Sequence, residues 1–289
     1  MPMNAQLLDN AKSDRVRRLA DLTRAKGRRK AGRFLIEGPQ SVREAVRYRA
    51  DAVSDIYVAS DGQAGASDVL ERIIQEALQA DNVYVHRATR EVMDHISTDA
   101  QGILAVGELD AMRAVQTRLA LTQGSRIAAF WQVRDPGNAG TVIRAADAAG
   151  CDAVVFVDDC VDMFNPKVIR STAGSLFHLP VLTVGTDEFF AMMGERGLGV
   201  WAADVYGTET RKPESLPDVL ARLRANPTSD GNSYAMLFGN EARGLSADVL
   251  AQCQRIISIP LYGKAESLNL ATSAAILLMS LTMASSVAS

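Results

Sequence analysis

A chain of 289 residues is long enough for two domains, and its 47% hydrophobic content is ample for packed cores. A formal net charge of −3 and an isoelectric point near 5.7 exclude a polycation, so any nucleic-acid surface must be a local patch. Three cysteines (Cys151, Cys160, Cys253) without metal-ligand spacing and three scattered histidines argue against a disulfide framework, a metal site or a histidine triad, and fit a reducing, cytoplasmic setting.

The first residues carry no apolar core of the signal-peptide kind. Residues 13–26 predict a basic amphipathic helix with Val16, Leu19, Ala20 and Leu22 inward, followed by a basic loop at Gly27, Arg28, Arg29 and Lys30. Residues 12–49 hold thirteen Lys or Arg against four acids. A solvated helix face accounts for many such runs. The uninterrupted Arg28, Arg29 and Lys30, with Arg33 close behind, point instead to a polyanion. Strands are predicted over 33–37, 55–59, 83–86 and 102–107, with helices over 39–49, 68–80 and 89–96 between them. This alternation makes residues 1–108 a small α/β domain with no catalytic constellation of its own. Residues 109–125 read as a linker, partly helical.

The second unit, 126–289, opens with a strand over 127–133. The turn Asp135-Pro136-Gly137-Asn138 follows, with Asn138 as the expected N-cap of a helix ending at Gly150. Strands over 153–157, 179–184, 200–204, 234–238 and 256–259 bring the count to six. Asn165-Pro166 opens a helix, 213–224 is a polar helix and 225–233 a loop. Strands alternating with helices imply a mostly parallel sheet covered on both faces. Leu268 to Ala284 is the one long apolar run. Its Ser and Thr content argues against a membrane span and for a buried or subunit-interface helix.

Three loops carry the polar punctuation: 135–144 (DPGNAGTVIR), 238–246 (FGNEARGLS) and 259–270 (IPLYGKAESLNL). Each follows a predicted strand, so they should share one crevice beyond the carboxyl ends of the sheet. No Gly-Lys-Ser/Thr phosphate loop and no Gly-x-Gly-x-x-Gly after a first strand is present. The loops offer backbone donors and acceptors beside small side chains, which suits a neutral or zwitterionic ligand bearing an adenine ring. Arg144, six residues past Asn138, would lean back toward that crevice. Ser267 is most simply an N-cap, and Asn269 a polar residue of the following first turn.

These three motifs, in this order and spacing, closely resemble those of the SpoU (TrmH-type) RNA ribose 2′-O-methyltransferases of the SPOUT superfamily. Phe34 to Gly38 and the surrounding basic domain resemble the family's N-terminal substrate-binding domain. The resemblance implies a knotted (trefoil) α/β methyltransferase domain, a homodimer through that domain, and no metal. It implies S-adenosylmethionine bound around Gly239, Ile259 and Leu268, with Phe238, Asn240 and Pro260 beside them. Asn138, Arg144, Glu241, Ser267 and Asn269 would form the catalytic centre. RNA would be met by Arg28, Arg29, Lys30 and Arg33. Arg144 is the family's proposed base, yet a guanidinium stays protonated in proteins, so an electrostatic role on the developing alkoxide stands beside it. The implied activity is ribose 2′-O-methylation of structured RNA, with rRNA favoured over tRNA because the N-terminal domain resembles the rRNA-acting branch. A catalytically silent RNA-binding protein is the alternative from another class. An unrelated nucleotide-cofactor α/β enzyme is disfavoured by the missing glycine fingerprint.

Overall fold

Two short helices, not one, carry the basic N-terminal segment. The computed structural model describes residues 3–60, 68–80, 82–117, 121–122, 124–225 and 233–286. With β1 (Met3–Leu8) before it, α1 (Asp14–Asp21) gives way at Leu22, and α2 (Ala25–Ala31) follows directly. This corrects both the helix expected over 13–26 and the basic loop after it. The cause is local. A Cβ at Gly27 would stand 2.0 Å from the Asp21 carbonyl oxygen, so glycine there permits α2 to fold tightly onto the end of α1. Val16, Leu19 and Leu22 are buried as expected, while Ala20 is half-buried.

The first unit joins β1 with β2 (Arg33–Glu37), β3 (Val53–Ala59), β4 (Tyr84–Ala88) and β5 (Ile103–Glu108) in the order β1-β4-β3-β5-β2. β1, β4 and β3 run parallel, and β5 runs antiparallel to β3 and β2. β1 is not anticipated by its sequence, which lacks β-branched and aromatic residues; its pairing with β4 decides it. Helices α3 (Pro39–Arg49), α4 (Asp68–Leu78), α5 (Arg90–Ile96) and α6 (Leu109–Thr117) complete the chain to this point, so helix begins the segment read as a linker.

The second unit is a seven-stranded sheet in which every pairing is parallel. It starts with β6 (Arg126–Trp131), α7 (Pro136–Ala148) and β7 (Ala153–Val157). After β7 the chain passes through α8 (Pro166–Ser171) and returns as β8 (Val181–Val184), α9 (Thr186–Glu195) and β9 (Gly199–Ala203). β10 (Glu214–Ser215), α10 (Leu216–Ala225), β11 (Tyr234–Phe238), α11 (Ala247–Gln252), β12 (Arg255–Ser258) and α12 (Leu270–Ser286) finish it. The order is β10-β12-β9-β11-β6-β7-β8, one strand more than the six expected, the addition being the two-residue β10. Residues 226–232 of the loop expected over 225–233 lie outside the described residues.

β7 and β11 are buried along their whole length, as parallel strands covered on both faces must be. Ala235 and Leu237 pack with Phe189 and Val249 on one side. Tyr234 and Phe238, of the opposite parity, stack on Trp201 at 4.8 Å and Phe130 at 5.0 Å. α12 turns Leu270, Ala274, Leu277, Leu278 and Leu281 inward, packs on α7 and α10, and leaves Met279 and Met283 exposed. No described helix is long and apolar enough to cross a membrane.

The compact units do not meet at a single boundary within 109–125. One consists of Met1–Arg118 with Asp162–His178, the other of Leu119–Val161 with Leu179–Ser289. Packing explains why 162–178 joins the first. Phe164 lies 4.8 Å from the Phe34 ring, Val168 and Ile169 are fully buried, Arg170 pairs with buried Glu37, and Asp162 accepts from Arg28.

Candidate active site

The carboxyl ends of β9, β11 and β12, adjacent in the sheet, open into a cavity of about 560 Å³. This is the crevice position expected of an open parallel sheet, and its size suits a small-molecule site. Motif one reaches it from the side of β6. Asp135, not Asn138, is the N-cap of α7: its Oδ1 accepts from the Asn138 amide at 2.7 Å, and Pro136 occupies the first turn, where no N–H is needed. The correction matters for chemistry, because it leaves the Asn138 carboxamide free to turn into the cavity.

Motif two is a closed turn. Asn240 and Gly244 exchange two backbone hydrogen bonds, with Gly244 at φ 65°. A Cβ on Gly239 would lie 2.4 Å from the Gly244 carbonyl carbon and 2.6 Å from the Leu245 nitrogen, so the turn closes only over glycine. Asn240 is buried; its Nδ2 donates to the Gln132 carbonyl at 2.7 Å and its Oδ1 accepts from the Ala242 amide at 3.0 Å. Both ends of that side chain hold the turn against the end of β6.

In motif three the helix cap is Asn269, whose Oδ1 accepts from the Ala271 and Thr272 amides at 2.8 and 3.3 Å. Ser267 lines the cavity without capping α12, which corrects the simpler expectation for it. Asn269 Nδ2 donates to Asn138 Oδ1 at 3.0 Å, and Asn138 Nδ2 donates to Glu241 Oε1 at 3.1 Å. One polar chain, Asn269–Asn138–Glu241, thus joins the three motifs across one wall. Each amide is oriented by its neighbour, and Glu241 keeps one carboxylate oxygen without a hydrogen-bond partner among the described residues.

Phe238, Gly239, Ile259 and Leu268 line the cavity with that chain, as does Asn240. Pro260 and Arg144 do not line it. Arg144 is exposed on α7 and has no ion-pair or hydrogen-bond partner among the described residues. Contributions not legible as site residues include Ala203 at the end of β9 with Asp204 to Tyr206 after it, Glu266, and Leu277 of α12. The β9 loop has no glycine motif, and its only sequence signal is an aspartate, Asp204, directly after a predicted strand.

Of the four basic residues expected to meet RNA, Arg28 is not available. It is 3% exposed and donates to Asp162 Oδ2 at 2.5 Å and to the Leu22 and Thr23 carbonyls at 3.1 and 3.0 Å. Its place is that of a buried clasp. Arg33 pairs with Glu108 at 2.8 Å, whereas Arg29 and Lys30 are exposed, without ion partners among the described residues.

Burial pushes the thiols of Cys151 and Cys253 up to about 12 and that of Cys160 to about 11, so none is a thiolate nucleophile at neutral pH. Among the described residues no group of three or more His, Cys, Asp or Glu side chains could hold a metal ion. The cavity lining is chemically mixed. Ala203, Ile257, Ile259, Leu268 and Leu277 supply apolar surface for a flat ring, and Asp204, Glu241 and Glu266 supply carboxylates for a cationic arm. That donor set fits S-adenosylmethionine, whose adenine is flat and whose sulfonium and ammonium are positive.

Comparison with known proteins agrees with this geometry. Residues 125–279 match the model of the SpoU rRNA Methylase family, and residues 13–105 match the MRM3-like substrate binding domain. The chain is 33% identical over 270 residues to the 23S rRNA (guanosine(2553)-2′-O)-methyltransferase RlmP of Bacillus subtilis, covering 93% of this chain and 96% of that protein. It is 28% identical to the 23S rRNA (guanosine-2′-O-)-methyltransferase RlmB of Bordetella pertussis, over 84% of this chain and 94% of that one. Among solved structures, the SpoU methyltransferase AviRb from Streptomyces viridochromogenes in complex with the cofactor AdoMet superposes with a TM-score of 0.76 at 25% identity, covering 94% and 98% of the two chains.

Proposed function

The chain belongs to the SpoU rRNA methylase family, and from that premise we propose how its own residues serve the family's reaction. It is an S-adenosylmethionine-dependent methyltransferase acting on the ribose 2′-hydroxyl of rRNA. The observation that carries this assignment to the site is the polar chain Asn269–Asn138–Glu241 closing one wall of the cavity. When bound, the donor supplies an electrophilic methyl on a sulfonium.

The protein's task is then positioning and charge control. Gly239, Ile259 and Leu268, with Phe238 and Asn240 beside them in the lining, would hold the adenine between backbone and aliphatic carbon. Asn138 and Asn269 hold Glu241 in one orientation, and its unpartnered oxygen is the acceptor in the wall for a hydroxyl proton. Ser267 offers a free hydroxyl to the incoming ribose. Arg144 stabilises the developing alkoxide or the neighbouring phosphate. Because it does not reach its own chain's cavity, we assign it to the cavity of a second copy in a homodimer. Exposed Met279 and Met283 on α12, which packs on α7, support that interface. The trefoil knot belongs to the same proposal, supported by the return of α12 onto α7 after the last strand. Unit one carries the RNA-binding role through Arg29, Lys30 and Arg33, and the three free cysteines fit a cytoplasmic setting.

Calorimetric titration with S-adenosylmethionine, then labelled methyl transfer to unmodified 23S rRNA and to tRNA transcripts, tests this. Binding followed by transfer to rRNA is expected. Binding without transfer to either RNA would favour a silent RNA-binding protein, and preference for tRNA would reassign the substrate.

A further inference from the structure

A ribose whose 2′-hydroxyl enters the cavity must carry its base somewhere outside it. Among the described residues nine large hydrophobic side chains are exposed; two of them, Val205 and Tyr206, line this cavity, and a third, Tyr262, adjoins a lining residue in sequence. Tyr206, 72% exposed, follows β9 and contributes to the cavity lining. Tyr262, 92% exposed, directly follows Leu261, another lining residue, in the loop between β12 and α12. Among the described residues neither phenol has a hydrogen-bond partner. We propose that Tyr206 and Tyr262 are the aromatic platforms that receive the base of the target nucleotide as its ribose enters the cavity. The proposal rests on the methyltransferase function given above and adds the residues that hold the substrate base.

Exposure separates these rings from the cofactor. A ring that sandwiches a bound adenine is largely covered, whereas Tyr206, at the rim of the lining, and Tyr262 keep most of their surface in solvent, open to an arriving substrate. The backbone beneath Tyr206 is fixed. Asp204 Oδ1 accepts from the Tyr206 and Gly207 amides at 2.8 and 2.7 Å. Gly207, at φ 71°, lies so close to the Arg211 carbonyl that a Cβ would stand 2.3 Å from its oxygen. A platform already held in place loses little entropy when a base lands on it. Proteins that read RNA splay bases out of the helix and stack them on such side chains. A tyrosine ring carries no positive charge and so neutralises no phosphate, and its contribution should not depend on salt as that of a basic residue does.

The test compares wild type with Tyr206→Ala, Tyr206→Phe, Tyr262→Ala and the double alanine variant, using S-adenosylmethionine and an unmodified 23S rRNA transcript. Thermal unfolding should be unchanged, since both side chains are exposed, and the Kd for S-adenosylmethionine should be unchanged in Tyr262→Ala, whose ring is not part of the cavity lining. Each alanine variant should lose about 5- to 150-fold in kcat/KM for the RNA, the range of a lost base-stacking contact. Tyr206→Phe should retain nearly all activity, and the slope of RNA affinity against salt should stay that of wild type. Undiminished kcat/KM in the double variant, or an equal loss of cofactor affinity in Tyr262→Ala, would overturn the stacking role while leaving the enzyme assignment intact. Absence of transfer by wild type would instead overturn the assignment, and the stacking role with it.

Discussion

Gly239→Ala is the sharpest structural perturbation of the site. The added methyl would stand 2.4 Å from the Gly244 carbonyl carbon, 2.6 Å from the Leu245 nitrogen and 2.8 Å from the Gly244 Cα. All three are backbone atoms, so no side-chain rotamer can relieve the clash. The motif-two turn must open, and the paired hydrogen bonds between Asn240 and Gly244, at 2.8 and 3.2 Å, are what it would lose. Overpacking of this kind costs about 1–3 kcal/mol. At about 1.4 kcal/mol per tenfold, affinity for S-adenosylmethionine should fall about 5- to 150-fold if the turn supports the cofactor. Gly263→Ala is the matched control, because a Cβ there meets nothing within 4 Å and its φ is not positive. Calorimetry gives the affinities and chemical denaturation the stabilities. Gly239→Ala behaving like Gly263→Ala in both would refute the account of the turn.

Arg144→Ala should leave S-adenosylmethionine affinity intact while methyl transfer falls by orders of magnitude, with partial rescue by Arg144→Lys if charge rather than the planar fork matters; equal single-turnover rates would remove Arg144 from the chemistry. Arg28→Ala should destabilise the fold by about 1–3 kcal/mol, because two carbonyls and Asp162 lose their donor. Arg29→Ala and Lys30→Ala should instead leave denaturation unchanged and each lower the salt slope of RNA affinity by about one; the reverse pattern would invalidate the division between clasp and contact. Asp55 is partly buried, which opposes its ionisation, but hydrogen bonds from His86 and Ser54 and the charge of Arg15 outweigh burial and lower its pKa. Its contribution to stability is therefore present above the unfolded aspartate value of about 3.9 and lost as pH falls through the lower folded value. The stability gap between wild type and Asp55→Asn, measured by denaturation across that range, should close on acidification; a gap that widens would contradict the sign.

The alternation of strands and helices was legible because Gly, Pro, Asn and Asp punctuate the chain where apolar runs end. The three glycine-bearing loops fell at strand ends for the same reason. What could not be read was adjacency. That β9 lies between β11 and β12, bringing Asp204 and Tyr206 to the site, is set by pairing between strands far apart in sequence. Arg28 shows the same limit. In sequence it stands in a basic run beside Arg29 and Lys30, and only its contact with Asp162 makes it a buried clasp. In sequence Asn138 reads as the cap of α7, but Asp135 is an equally good cap and Pro136 favours it. Gly27 reads as the start of a basic loop and functions as clearance between two helices.

The central claim is transfer of a methyl group to a ribose 2′-oxygen of rRNA. Its most direct test is mass spectrometry of nuclease fragments of 23S rRNA from cells lacking the gene, after incubation with the protein and S-adenosylmethionine. The account predicts one new methyl group, on a ribose, at a nucleotide that is already modified in rRNA from cells carrying the gene. A methyl found on a base, or rRNA left unmodified by protein that binds S-adenosylmethionine, would contradict it.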